Sequence, residues 1–454
     1  MRKKYLYWNK DVKIIRYSAL RSFLVIDDTD YMINSSGMDI IVSIDGTQTL
    51  EDVINYLMAK YDDTYENISG AVKEYIETLE NEYGLKLCES VKPLKNKCVV
   101  VDKQTVYPKV ASIEITERCN VKCLHCYGEH SMSLTCDMSL SQIKQLLVDL
   151  KAIDVEVIEI TGGDCSVHPE LISIIKYALS LKFQQIDILT NGVHLTKELK
   201  DLIKANQGKI TVQIDLHSLD NDYLKWFMQT TVNVDVIKGN IMELATAGIQ
   251  MRVATVFTER NLKEFWDIAR FVDNCGVIWG ITPVEPLGRA DYSVAQPDIF
   301  LSAEGAKFLH ESIMEIKKVY PNLLFEIKEE NRSNENNCGV LSGHVVINVH
   351  GDIKLCTMDN LHYCNTSIGN VFNTNIKTIF DLNKDLIMAL AFQKTVELDQ
   401  EECQGCEYIY SCAKCMLRTL INVQKKGFTC NWYKKCLSNT LKEFCFPEIK
   451  SDVG

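Results

Sequence analysis

From Pro108 to Pro283 the chain alternates six apolar, strand-like runs with helical stretches, and no other feature narrows its fold as much. The runs lie near Ser112 to Thr116, Val155 to Thr161, Gln185 to Thr190, Ile210 to Leu216, Gln250 to Phe257 and Val277 to Pro283. Between them apolar residues fall at helical spacing, as Leu140, Ile143, Leu147 and Leu150 do. Repeated strand-then-helix order predicts a parallel sheet with right-handed crossovers. Six units are too few to close an eight-stranded barrel. The expected fold class is therefore α/β, an open, partial (β/α)6 barrel with function on the loops at the strand C-termini. Its open side could admit a peptide.

The 454 residues include 18 cysteines. No uncharged apolar run approaches a membrane span, and the Met-Arg-Lys-Lys start leads into no signal-peptide core, so a cytoplasmic protein is expected. In a reducing compartment so many thiols point to metal or redox ligation rather than disulfides. They concentrate in residues 119–126 and between Cys338 and Cys445. Cys88, Cys98, Cys136, Cys165 and Cys275 lie outside these groups and are expected to be small buried hydrophobes. A formal net charge of -12 disfavours a nucleic-acid duplex as the main partner and permits a peptide or small-molecule substrate.

The loop Cys119-Asn-Val-Lys-Cys123-Leu-His-Cys126 follows the first strand-like run. Three thiols can converge on one iron-sulfur cube and leave one of its irons open to a small ligand. A zinc knuckle closed by His125 or His130 is the alternative. Other strand ends carry polar residues. Thr161-Gly162-Gly163-Asp164 ends the second run, where paired glycines permit close backbone approach to a ligand, or merely a turn. Asp215 ends the fourth run and Arg252 lies in the fifth. Downstream come Cys338, Gly351 and Cys356, then Cys403-x2-Cys406-x5-Cys412-x2-Cys415, then Cys430. A zinc site would use four of these seven thiols; two iron-sulfur clusters use all seven and leave one iron open.

Residues 1–90 read as a separate unit. Strands are expected at Val12 to Ile15, Ser22 to Ile26 and Tyr31 to Asn34, then a helix from the Asn34-Ser-Ser-Gly37 turn, one opened by Thr49 and one from about Ile68. Strands followed by helices is the order of a winged helix. Its helices show no Lys or Arg stripe, which argues against DNA as its ligand. Residues 91–107 are expected to be a linker, 108–325 the barrel and 326–454 a cysteine-rich domain.

The Cys119/Cys123/Cys126 loop resembles that of the radical S-adenosylmethionine (SAM) superfamily, with His125 where that family usually has Tyr or Phe, a ring that can stack on adenine. Gly162-Gly163-Asp164 is similar to its Gly-Gly-Glu motif, which holds the methionine amino group. Asp215 lies where relatives contact the ribose, Arg252 could reach the cofactor carboxylate, and Pro286-Leu-Gly-Arg289 resembles a loop near the adenine. The later cysteines resemble the SPASM extension. By that resemblance Cys338, Cys356 and Cys415 hold a first auxiliary cluster and Cys403, Cys406, Cys412 and Cys430 a second. The first is one ligand short, a place for Cys364, another thiol or a substrate cysteine, and Cys436 and Cys445 are spares. The N-terminal unit resembles the recognition element of enzymes that modify ribosomally made peptides, where a leader peptide adds a strand to the sheet edge. The resemblance implies three [4Fe-4S] clusters, SAM, a precursor peptide partner and an electron donor such as a flavodoxin or ferredoxin. The reaction it implies is thioether formation, with Cys119, Cys123 and Cys126 holding the radical-generating cluster. Carbon-carbon crosslinking, oxidation or epimerisation of a peptide is the alternative, and an iron-sulfur DNA-binding regulator a distant one.

Overall fold

The computed structural model describes residues 3–18, 21–27, 29–94, 98–102, 105–291, 297–324, 338–361 and 365–447. It divides into two compact units, residues 1–106 and 107–454.

In the first unit, β1 (Tyr5–Trp8) pairs antiparallel with β5 (Leu87–Ser90). A second sheet has the order β4-β3-β2-β6, from β2 (Val12–Ser18), β3 (Arg21–Ile26), β4 (Thr29–Ile33) and β6 (Cys98–Asp102). Three helices follow β4: Ser35–Ser43, Leu50–Tyr61 and Tyr65–Tyr83. Each starts on a side-chain cap, Asn34, Thr49 and Thr64, that accepts an otherwise orphaned backbone N–H. Thr49 and Asp52 close a reciprocal capping box. Thr64 starts the third helix three residues earlier than Ile68 suggests. The core joins Trp8, Ile14 and Leu24 of the strands to Ile41, Leu57 and Leu79 of the helices. One expectation is corrected here: residues 91–107 are not only a linker. The run Cys98-Val-Val-Val forms β6, which pairs parallel with β2, as three consecutive β-branched residues favour.

The second unit holds an eight-stranded sheet of order β12-β11-β10-β9-β8-β7-β13-β14. Its members are β7 (Val110–Glu114), β8 (Val157–Thr161), β9 (Gln185–Thr190), β10 (Ile210–Asp215), β11 (Met251–Phe257), β12 (Ile278–Pro283), β13 (His344–Ile347) and β14 (Ile353–Lys354). Strands β7 to β12 are parallel and each lies beside its predecessor, the order of a partial barrel. β13 adds parallel to β7 on the far side, a seventh parallel strand beyond the six expected. Residues alternate sharply between the faces. Ile113, Ile160, Ile188 and Val212 stand in register and are buried, while Ser112, Glu159, Asp187 and Thr211 stand in register on the opposite face. That second face is polar because it lines the barrel's interior. Its residues bond along the register: Ser112 Oγ and His344 Nε2 both meet Glu159, and Thr211 Oγ1 donates to Asp187. No described helix is long and apolar enough to cross a membrane.

Candidate active site

The three-cysteine loop leaves the C-terminal end of β7 and is held from four sides. Thr116 Oγ1 donates to Asp137 at 2.5 Å, and the Arg118 guanidinium grips the same carboxylate at 3.0 and 2.5 Å. Lys122 and Leu124 donate their backbone N–H groups to the carbonyls of Met228 and Phe227. Asn191, just past β9, reaches Asn120 at 2.6 Å and Cys119 Sγ at 3.9 Å. Arg289 Nη1 donates to the Cys123 carbonyl at 2.8 Å, and its backbone N–H donates to the Cys126 carbonyl at 3.1 Å. Gly288, with φ +56, lets this happen, since a Cβ there would sit 2.6 Å from the Cys126 carbonyl oxygen.

Cys119, Cys123 and Cys126 come together: each thiol is raised above its usual range, chiefly by burial, and Cys123 also by the two others. Buried, mutually adjacent thiols fit a cationic cluster, which favours their thiolate forms and removes both penalties. His125 lies flat on Phe227, with centroids 4.7 Å apart and planes 5° apart, and edge-on to His217 at 5.0 Å. Burial pushes His125 down to about 4, so at neutral pH it is an uncharged aromatic plate with one face covered by Phe227. His217 is likewise held neutral by burial and accepts from the Val256 N–H at 3.3 Å.

The glycine pair and Asp164 face the loop. A Cβ on Gly162 would overlap the Thr116 carbonyl and one on Gly163 the Arg118 carbonyl, while Asp164 N–H donates to Arg118 O at 2.9 Å. The buried Asp164 carboxylate accepts from Ser166 N, Thr190 Oγ1 and Asn191 N at 2.7 to 3.1 Å. Both its oxygens thus meet protein donors, and the carboxylate ties β8 to the end of β9. Asp215 stands at the C-terminal end of β10 on the concave face and accepts from Gln213 at 3.3 Å. Burial is the first cause that raises its carboxyl to about 7, with Asp164 adding to it. Arg252 lies one residue pair deeper, opposite Gln213, to which Nε donates at 2.7 Å. It lines a cavity of about 630 Å3 with Glu159 and Asp187, away from the cysteine loop's strand ends. Arg260 turns outward onto Asp298 and the Trp226 ring.

The later cysteines form two groups. Cys338, Cys356 and Cys415 are neighbours, and the Cys338 and Cys356 thiols are raised chiefly by burial and further by the thiols beside them. Cys364 lies outside the described residues. Cys403, Cys406, Cys412 and Cys430 line one narrow cavity of about 20 Å3 with Trp432 and Lys426. Cys436, expected to be a spare, lies beside Cys403 and Cys430. Tyr127, the residue after Cys126, packs with Cys356 and Cys415 against a small core of Leu287, Leu417 and Ile421. The loop thiols and the Cys338/Cys356/Cys415 group thus share one wall. The clamp by Gly288, Arg289 and Asn191 was not legible as such, because Gly288 and Arg289 act on backbone carbonyls, which have no sequence signature, and Asn191 reaches the loop from a strand end 71 residues beyond Asn120.

This geometry agrees with comparison to known proteins. Residues 113–272 match the model of the radical SAM superfamily, 338–407 that of the SPASM iron-sulfur cluster-binding domain, and 23–83 that of coenzyme PQQ synthesis protein D, PqqD. The chain is a radical SAM enzyme with a PqqD-like domain before the barrel and an SPASM domain after it, and its cofactors are [4Fe-4S] clusters and SAM. Among individual proteins it is similar to the antilisterial bacteriocin subtilosin biosynthesis protein AlbA of Bacillus subtilis, 27% identical over 93% of this chain and 92% of that protein. It is also similar to the mycofactocin maturase MftC of Mycobacterium tuberculosis, 28% identical over 39% of this chain and 44% of that protein. Streptococcus suis SuiB bound to its precursor peptide SuiA shares the fold, with TM-score 0.55, 13% identity and coverage of 92% of this chain and 97% of that one.

Proposed function

We propose that the enzyme matures a ribosomally made peptide by joining a cysteine sulfur of that peptide to a carbon within it. The observation that carries this reading is the shared wall at Tyr127, with the Cys119/Cys123/Cys126 loop on one side and the Cys338/Cys356/Cys415 group on the other. A substrate beside Tyr127 would have its carbon near the first group and its sulfur near the second. The similarity to AlbA along most of the chain supports a peptide substrate.

In this reading Cys119, Cys123 and Cys126 hold the radical-generating cluster, and the two later groups hold auxiliary clusters. A reduced cluster with SAM supplies a 5'-deoxyadenosyl radical able to abstract hydrogen from carbon. The chain's own residues do the positioning. Arg289, Asn191 and the backbone of Phe227 and Met228 fix the loop, and the free face of His125 offers a neutral plate for the adenine. Asp215 is placed for a ribose diol, and the backbone around Gly162 and Gly163 for the amino group. Arg252 lies deeper, held by Gln213 in the cavity with Glu159 and Asp187, and takes no part in holding SAM in this reading. The Cys338/Cys356/Cys415 group takes the substrate sulfur, or is completed by Cys364.

The N-terminal unit would bind the leader. β4 and β6 are the two outer strands of its sheet among the described residues, so an added strand would pair with one of them, and β4 is the one inside the PqqD match. A cytosolic location suits thiols that must stay reduced, and a flavodoxin or ferredoxin suits as electron donor. Co-expression with the precursor tests the function. A peptide lighter by two hydrogens per crosslink, with its cysteine protected from alkylation, supports a thioether, and an unmodified peptide with free cysteine refutes it.

A further inference from the structure

The helix Met416–Lys425 runs past both groups of auxiliary thiols, with Cys415 as its N-cap. Arg418, Asn422 and Lys426 recur at intervals of four, so they stand along one helical face. Each meets a different cysteine. The Arg418 guanidinium lies against the Cys415 thiol. Asn422 Nδ2 is 3.4 Å from Cys412 Sγ, and Lys426 Nζ is 3.3 Å from Cys406 Sγ. Both of the latter residues line the cavity formed by Cys403, Cys406, Cys412 and Cys430.

The three donors differ in net charge. Arg418 also pairs with the Glu285 carboxylate, which neutralises it locally. Lys426 makes no ion pair among the described residues, and its ammonium lies 5.3 Å from the Tyr408 ring centre, which holds it over the thiols. Asn422 is buried and also donates to Ser411 at 3.1 Å, which fixes its amide. A positive charge or an N–H donor beside a cluster sulfur stabilises the reduced, more negative form and so raises the reduction potential.

We propose that Lys426 and Asn422 raise the potential of the cluster at Cys403, Cys406, Cys412 and Cys430, while Arg418, matched by Glu285, leaves the cluster at Cys338, Cys356 and Cys415 lower. The consequence is a direction for electron flow. One electron passes from the lower to the higher site, one cluster is oxidised and the other reduced, and no bond or proton moves. The inference rests on reading these seven thiols as two cluster sites. Lys426 and Asn422 are positioning residues for that transfer rather than groups that touch substrate.

The test is a redox titration followed by electron paramagnetic resonance on the full-length, anaerobically reconstituted enzyme, with iron counted in parallel. In K426M one of three midpoints should fall while the other two stay and iron remains at about twelve per chain. N422L should lower the same midpoint by less, and K426R, which keeps the charge, should restore it. A structural role alone would remove iron without moving a midpoint. An unchanged midpoint in K426M at full iron, or a K426R shift as large as that of K426M, overturns the proposal and leaves the cluster reading intact. Fewer than three clusters in the wild type overturns both.

Discussion

Gly288 is the residue on which the cysteine loop most depends for its position. Its φ of +56 is a left-handed conformation, and a Cβ would press on the Cys126 and Tyr127 carbonyls. Gly288→Ala should introduce strain of about 1–3 kcal/mol, enough to shift the loop. The expected outcome is loss of about four irons per chain from a total of about twelve, with the other clusters retained; full iron content would contradict it. Asp215 gives a pH prediction. Its carboxyl is raised from 3.8 to about 7 in the fold, so the folded state keeps a proton that the unfolded chain has lost. Stability therefore falls as pH rises from about 4 to about 7 and is level above that. D215N removes the dependence and should gain about 2–4 kcal/mol on the wild type at pH 8 relative to pH 4, read as a change in the difference between their melting points. At this scale the Cys119/Cys123/Cys126 loop was legible because its spacing is local, whereas Cys338, Cys356 and Cys415 lie far apart in the chain and were grouped only by resemblance. The task of Asp164 was not: a carboxylate after two glycines looks free in sequence, but Thr190 and Asn191 of the next strand end saturate it.

Among the elements, the six parallel strands were readable because each buries one face under helices and so shows apolar residues at alternate positions. β6 and β13 were not. Each is a short run in a polar neighbourhood, and each pairs with a strand more than 80 residues away, β2 or β7, which no local pattern reports. Ile188 stands in the middle of the buried register, and Ile188→Ala should cost about 2–5 kcal/mol through lost burial and the cavity left behind. The helix Leu140–Ala152 was legible from its apolar spacing, and the structure adds that Ser139 and Gln142 form a capping box at its start. Ser139→Ala should cost about 1 kcal/mol and lower the melting point by a few degrees, with iron content unchanged. A drop as large as that of Ile188→Ala would show that the box does more than cap.

For the whole molecule, the division at residues 106 and 107 separates the proposed leader-binding unit from every cysteine of the three proposed cluster sites. Removing residues 1–106 should leave iron content and reductive SAM cleavage in place and abolish modification of a leader-bearing precursor. Loss of SAM cleavage would show that the first unit serves the barrel rather than the peptide. The central claim is that hydrogen leaves a peptide carbon and a cysteine sulfur replaces it. The most direct measurement is mass spectrometry after anaerobic incubation of the full-length enzyme with SAM, reductant and a precursor deuterated at its carbon positions. The account predicts deuterium in 5'-deoxyadenosine, together with a peptide that has lost one deuterium and one thiol hydrogen and resists alkylation at cysteine. A peptide that exchanges deuterium for hydrogen yet keeps its cysteine free, as epimerisation requires, would contradict it.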